Sequence, residues 1–404
     1  MGIPKRHDEA VRRWGLGFCI LILLGCLPAV AAGGAVRSNS VAVETVVGPN
    51  SLRAPSGIAL DQRGDLFVAD TDQCRILLVP VGSGVLYGMH VRAHQTTVLA
   101  GTSCRSRRSL GYPTGIAVDG SGDVFVAEAT NERVLELPAD GSHRLTTFAG
   151  TGIAGSGRSG VAAKSSELNE PSGIAVDAAG DLFIADSANC RVQMVPAEST
   201  TYDGQAMTSG DIYTVAGDGV CGSANRGSGA LSAQVWDPVA VALDTSGDLF
   251  IADNGDQSVL EVPTHQGTYY GTPIGAGDLQ TIVGMGMYGP YLIDGLSATS
   301  VASELNDPEG LAVSPAGTLF VTDGDMHCIR VVPMITSTVF GRTMTAGNLY
   351  TLAGALPVSP KGQPAGDGTK WILTHMDVPI GVVASPTGSV YFSDRGDNRV
   401  RVVG

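Results

Sequence analysis

The 404-residue chain carries 39 Asp and Glu against 25 Lys and Arg, a formal net charge of -14, with 55 glycines and only 5% aromatic residues. This balance argues against a nucleic-acid partner and against docking on an anionic membrane surface, both of which need clustered Lys and Arg. Abundant glycine without long helical periodicity points to an all-β fold.

Residues 1–32 read as a signal peptide or membrane anchor. Lys5, Arg6, Arg12 and Arg13 precede an apolar stretch over residues 14–27, and Ala29 and Ala31 are small residues at a peptidase-like spacing. Three endings are open: cleavage after Ala31 or Ala32, lipidation at Cys26, or retention as an anchor. Each predicts export, to a secreted or cell-surface location, with membrane contact only through this segment. Residues 33–44 are a short linker and residues 45–404 one domain.

That domain repeats one module six times. Gly57, Gly115, Gly173, Ala240, Gly310 and Gly381 open short apolar runs that end in a turn, Asp-x-x-Gly-Asp (as Asp61 to Asp65) or Ser-Pro-x-Gly-Thr/Ser (as Ser314 to Thr318). A second run closes on Asp70, Glu128, Asp186, Asp253, Asp323 or Asp394. Third runs such as Arg75-Ile-Leu-Leu-Val and fourth runs such as Tyr213-Thr-Val-Ala-Gly complete the unit. Runs this short, rich in Val, Ile and Phe and bounded by Gly and Asp, are strands joined by tight turns. Four antiparallel strands repeated radially make a β-propeller, here six-bladed. Thr45-Val-Val-Gly is a fourth-type strand without a preceding triplet, and the last triplet ends at Val403 without a fourth strand. The N-terminal strand is therefore expected to complete the last blade and remove two open edges.

The pattern Pro-x-Gly-[Ile/Val/Leu]-Ala-[Val/Leu]-Asp-x-x-Gly-x-[Leu/Val]-[Phe/Tyr]-[Val/Ile]-[Ala/Thr]-Asp-x-x-x-x-Arg-[Val/Ile] resembles the NHL repeat over roughly residues 45–403, within the gluconolactonase-like propeller superfamily. Spacers such as Tyr-Asp-Gly-Gln-Ala-Met-Thr-Ser-Gly-Asp resemble those of secreted bacterial NHL proteins. The resemblance implies a propeller that hosts either binding or catalysis, since fold does not choose between them.

Cys74 and Cys190 occupy equivalent slots before the third strand, and Cys104 and Cys221 follow the next Ala-Gly. Both slots fall on one face, so the expected disulfides are Cys74–Cys104 and Cys190–Cys221, in keeping with an oxidising compartment. Cys328 is left over and reads as a buried thiol. Spacers at residues 81–96, 197–212, 264–280 and 334–349 are expected to form extended hairpins on one face. The Gly, Ser and Ala-rich loops before each Pro-x-Gly lie on the other, where binding is expected.

Chemistry is sparse. Asp70 and Arg75, Glu128 and Arg133, Asp186 and Arg191, and Asp394 and Arg399 share a five-residue spacing and read as salt bridges tying a turn. Ser258 and Cys328 replace the arginine in two copies, leaving Asp253 and Asp323 without that partner and with Asp256, Asp325 and His327 nearby. A cation, Ca²⁺ by its oxygen ligands, is the metal reading for Asp253, Asp323 and Glu309; solvated carboxylates are the plainer one. Glu170, Asp237, Asp307, Glu309 and Asp377 enter the first strands and form an acidic axial mouth, a candidate ligand site. His90, His94, His143, His265, His327 and His375 fall outside the slots in which the zinc lyases of this resemblance carry ligands, and no Gly-x-Ser-x-Gly or Cys-x-x-Cys motif is present. The expected function is an exported, monomeric binding or scaffold module for a protein, peptide or glycan, with Ca²⁺ the one candidate cofactor and none assigned. The alternative is a metal-dependent lyase or lactonase working at the acidic mouth.

Overall fold

The structure is a computed structural model and describes residues 42–101, 104, 110–286, 293–354 and 374–404. The targeting segment expected over residues 1–32 lies outside the described residues.

Six antiparallel sheets of the expected topology follow one another along the chain. Blade one is built from Pro55–Leu60, Leu66–Asp70, Arg75–Val79 and Thr97–Ala100, and its order from axis to rim follows the sequence. Blade six takes Pro379–Ala384, Val390–Asp394 and Arg399–Val403 from the C-terminal region. Its outer strand is Val43–Val47, paired antiparallel from Val43 opposite Val403 to Val47 opposite Val400. Ring closure by the N-terminal strand is thus as expected.

Each second strand carries a buried ladder because both of its faces lie between neighbouring blades. Phe67, Phe125, Phe183, Phe250 and Phe320 recur at one position with at most 4% exposure. Burying a side chain of this size contributes about 1.5–3 kcal/mol. At the axis the blades pack backbone to backbone. A Cβ on Gly115 would sit 2.2 Å from the Ser172 carbonyl oxygen, and one on Gly310 would sit 2.1 Å from that of Ile380. Only glycine permits this approach.

The hairpins also form as expected, in blades one, three, four and five; that of blade four pairs Gly267–Tyr269 with Thr272–Ile274. They lean over the next blade, where the Tyr87 hydroxyl donates to the Gly122 carbonyl and the Tyr270 hydroxyl to that of Gly317. The long loops depart from expectation. Those before blades three, four and five do not stay on the mouth face but descend to the rim. There Val161–Ala162, Ser228–Gly229 and Leu296–Ser297 each add a short fifth strand to their blade. They satisfy backbone groups that an open edge would leave unpaired.

Both expected disulfides are present, Cys74–Cys104 and Cys190–Cys221. Cys74 and Cys190 have left-handed backbone, with φ of 49° and 51°, at the end of a short 3-10 turn. Cys328 is free and buried, and burial pushes its thiol well up. Replacing Cys190 and Cys221 with serine opens a bridge spanning 31 residues. The expected loss is about 3–4 kcal/mol, read as a lowered denaturant midpoint in a double Cys→Ser variant.

Candidate functional site

The mouth is assembled by a carboxylate in every blade. Asp70, Asp186, Asp253, Asp323 and Asp394 each accept the backbone N–H of the residue 17 positions earlier, at 2.7 to 2.9 Å; the donors are Arg53, Asn169, Trp236, Asn306 and Asp377. Glu128 does the same for Gly111. In five of the six blades the other carboxylate oxygen forms an ion pair with an arginine. Arg75, Arg133 and Arg191 fill that place as expected, at 2.7, 2.6 and 2.8 Å.

Three expectations about this slot need correction. Asp394 pairs with Arg401 at 3.1 Å rather than with Arg399, and Arg401 is completely buried. The side chain two residues further along the same strand shares the face, so period-two geometry permits the exchange. Asp253 does have a cation: Arg226 reaches in from the preceding loop at 2.5 Å, and also holds Asp256. Asp323 is completely buried rather than solvated; no ion pair joins it among the described residues, and fully buried Arg330 acts on it through its charge alone, partly offsetting the burial that raises the carboxyl to about 7. The residues named for a metal are not brought together. Asp253 and Asp323 lie in the arginine slots of separate blades, while Glu309 faces the axis. No set of three His, Cys, Asp or Glu suited to a metal occurs among the described residues.

The loop pinned by each carboxylate presents its next residue at the mouth. Those residues are Ala54, Tyr112, Glu170, Asp237, Asp307 and Val378, so three consecutive blades offer an acid. Glu170, Asp237 and Asp307 have φ of 53°, 61° and 73°, a left-handed backbone that the preceding blade holds at Glu170 and Asp307. Glu132 Oε2 accepts the Glu170 N–H at 2.6 Å and Gln257 Oε1 that of Asp307 at 2.6 Å. His327 Nδ1 accepts the Val378 N–H at 3.1 Å, and Asn398 Oδ1 accepts that of Ala54 at 2.7 Å. Asp377 falls one residue outside this ring; its loop backbone is anchored to Asp394, and its carboxylate stands 3.7 Å from His327.

Burial raises the Asp237 carboxyl, and the charges of Glu170 and Asp307 raise it further. Glu309 lies deeper. Burial, then the Asp307 charge, push it to about 8, with Arg395 pulling the other way. Beneath these groups the axis opens into a cavity of about 200 Å³ lined by the first strands of all six blades, with Glu309 and Arg395 at its edge. Arg395 escaped the sequence reading. It directly follows the carboxylate of its blade, where the other copies carry Thr71, Ala129, Ser187, Asn254 and Gly324. A long cation among short side chains was the available signal. Trp236 and Tyr112, 50% and 45% exposed, stand in the loops beside the mouth carboxylates and were not singled out for binding either.

Outside the mouth, Glu261 in blade four is completely buried, and neither carboxylate oxygen has a hydrogen-bond partner among the described residues. Burial and the charges of Asp248 and Asp244 push it to about 9.

A model of the NHL repeat matches residues 168–193 and 305–332, which fall in blades three and five. Mouse teneurin-1 is 24% identical over 393 residues, 91% of this chain but 13% of that protein. The chain spans 13 to 14% of the length of the curated relatives it matches first. Among solved structures, an auxiliary nutrient binding protein from Bacteroides thetaiotaomicron superposes with a TM-score of 0.56 at 13% identity, over 90% of this chain and 76% of the other. A gluconolactonase from Xanthomonas campestris gives 0.52 at 13% identity, over 90% and 89%. At these identities the likeness establishes the fold.

Two measurements check the electrostatics. Arg401→Ala strands Asp394 and is expected to destabilise by about 3–5 kcal/mol, whereas Arg399→Ala, by urea denaturation, should change stability by less than about 1 kcal/mol. The folded state also holds the Glu261 proton that the unfolded chain releases near pH 4.5. Stability attributable to this group is therefore greatest in acid and falls as pH rises from about 4.5 to about 9. Glu261→Gln should flatten that decline in a series of thermal midpoints.

Proposed function

We propose that this chain, which carries NHL repeats on a six-bladed propeller, is an exported binding module whose mouth face takes a basic segment of a protein or peptide partner. The observation that carries this reading is the row of Glu170, Asp237 and Asp307 on three consecutive blades, with Glu309 beneath it. The charges of Glu170 and Asp307 raise Asp237, and those of Asp307 and Asp237 raise Glu309, so an incoming cation relieves a repulsion already present. Trp236 and Tyr112 add exposed rings suited to the stem or the charge of Lys or Arg. The two disulfides support export. Binding as a use of this fold is also consistent with the nutrient binding protein that shares it. Glycan partners lack the positive charge this mouth favours.

Catalysis keeps one observation in its favour. Glu309, held near 8 beside Asp307, is a carboxyl suited to proton donation, as a lactonase-type hydrolase would require. A metal-dependent form would need ligands beyond the described residues.

The test is titration calorimetry with an end-blocked peptide containing Lys, Arg and aromatic residues, set against its acidic counterpart. The basic peptide should bind, and Asp237→Asn with Asp307→Asn should weaken it about tenfold, as should raised salt. Equal affinity for both peptides would sink the reading. Hydrolysis of simple lactones that Glu309→Gln abolishes would replace it with the hydrolase.

A further inference from the structure

The cavity under the mouth has a chemistry of its own. Its lining includes one aliphatic residue from each blade, Ile58, Ile116, Ile174, Val241, Leu311 and Val382, beside the small residues of the first strands. Each keeps 5 to 7% exposure, its side chain belonging to a core between blades where that core borders the opening. The hydroxyls nearby are already committed. Ser56 Oγ bonds Thr71 Oγ1 and the Thr114 carbonyl, and Ser172 Oγ bonds Ser187 Oγ and the Val239 carbonyl. An acid and a base therefore dominate the polar edge, Glu309 from blade five, whose proton an incoming ammonium would displace, and Arg395 from blade six.

These two groups are close enough for Arg395 to influence the Glu309 carboxyl, yet no ion pair joins them among the described residues. The guanidinium also has no hydrogen-bonded protein partner among them. Five of the six residues in its slot are short, and three of those, Thr71, Ser187 and Asn254, bond the adjoining blade. Arg395 makes no such bond among the described residues. An exposed fork of donors at the cavity suits a carboxylate, while Glu309 with Asp307 suits an ammonium.

We propose that the axial cavity is a binding site for a zwitterionic α-amino acid with an aliphatic side chain. The α-carboxylate rests on Arg395, the α-ammonium on Glu309 and Asp307, and the side chain enters the aliphatic ring. The apolar wall supplies burial for the side chain, and the two charges fix its orientation. This goes beyond the basic-partner reading, shares only Glu309 and Asp307 with it, and does not require it.

L-Leucine, isoamylamine (no carboxylate), 4-methylpentanoate (no amine) and glycine (no side chain) would be titrated into the intact protein. Leucine should bind at least tenfold more tightly than each of the other three. Arg395→Gln should weaken leucine at least tenfold and leave isoamylamine unchanged, whereas Glu309→Gln should weaken leucine and leave 4-methylpentanoate unchanged. An unaltered thermal midpoint in each variant separates loss of contact from loss of fold; if a midpoint drops, the analogue series on the wild-type protein decides alone. Absence of leucine binding, or equal affinity for all four probes, overturns the proposal. Arg395→Gln also separates the two readings, because removing a cation should not weaken an end-blocked basic peptide.

Discussion

The structure depends on a buried carboxylate at the end of the second strand of each blade. One of its oxygens takes the backbone N–H of the loop that enters the blade, and in every blade but the fifth the other forms an ion pair with an arginine. Removing either charge leaves the other stranded in a dry interior, at about 3–5 kcal/mol. What the fold requires is a cation at that point, not a cation from any one position. The arginine comes from the head of the third strand in blades one to three, from two residues further along in blade six, and from the preceding loop in blade four, while in blade five Arg330, two residues along the strand, acts on Asp323 only through its charge. The loops keep the same ledger of charge. Arg226 occupies the loop position that Asp294 fills in blade five, where the strand already brings Arg330 and Asp294 instead holds Arg342 and the Thr351 amide.

A second slot joins the blades to one another. The left-handed residue that closes the turn after each carboxylate is Cys74, Glu132, Cys190, Gln257, His327 or Asn398. Its side chain either forms a disulfide to the loop leaving the same blade or reaches across to the first amide of the next. Chain connection and blade contact are thus secured at the same place by different chemistries. Together with glycine contacts at the axis, they make a rigid ring on which mouth residues are held by backbone geometry.

Much of this was legible because repetition turns one sequence into six aligned ones. Strands, turns, ring closure, hairpins and both disulfides followed from register alone, since a shift of one residue would put every apolar side chain on the wrong face. The arginine partners were only half legible. A five-residue spacing found Arg75, Arg133 and Arg191, but misassigned Arg399 and left Asp253 and Asp323 bare, because alternation along a strand allows two positions on the same face and a loop can reach a third. The acidic mouth was visible as residues before the strand-opening Pro. Its depth was not, because the placement of Glu309 over the cavity depends on how closely the first strands meet around the axis.

The same separation explains where specificity can reside. Carboxylate, arginine and left-handed residue hold each mouth position by its main chain, so the side chain there is free to vary without loosening the ring. Ala54, Tyr112, Glu170, Asp237, Asp307 and Val378 use that freedom unevenly, with acids gathered on blades three to five and apolar groups on the others. A ligand lying across such a mouth meets negative charge on one side and apolar surface on the other. With Arg395 set beside blade five rather than at the centre, the six-fold repetition of the backbone no longer implies six equivalent orientations. Symmetry gives the ring its stability; departure from symmetry in single side chains gives it a direction in which to bind.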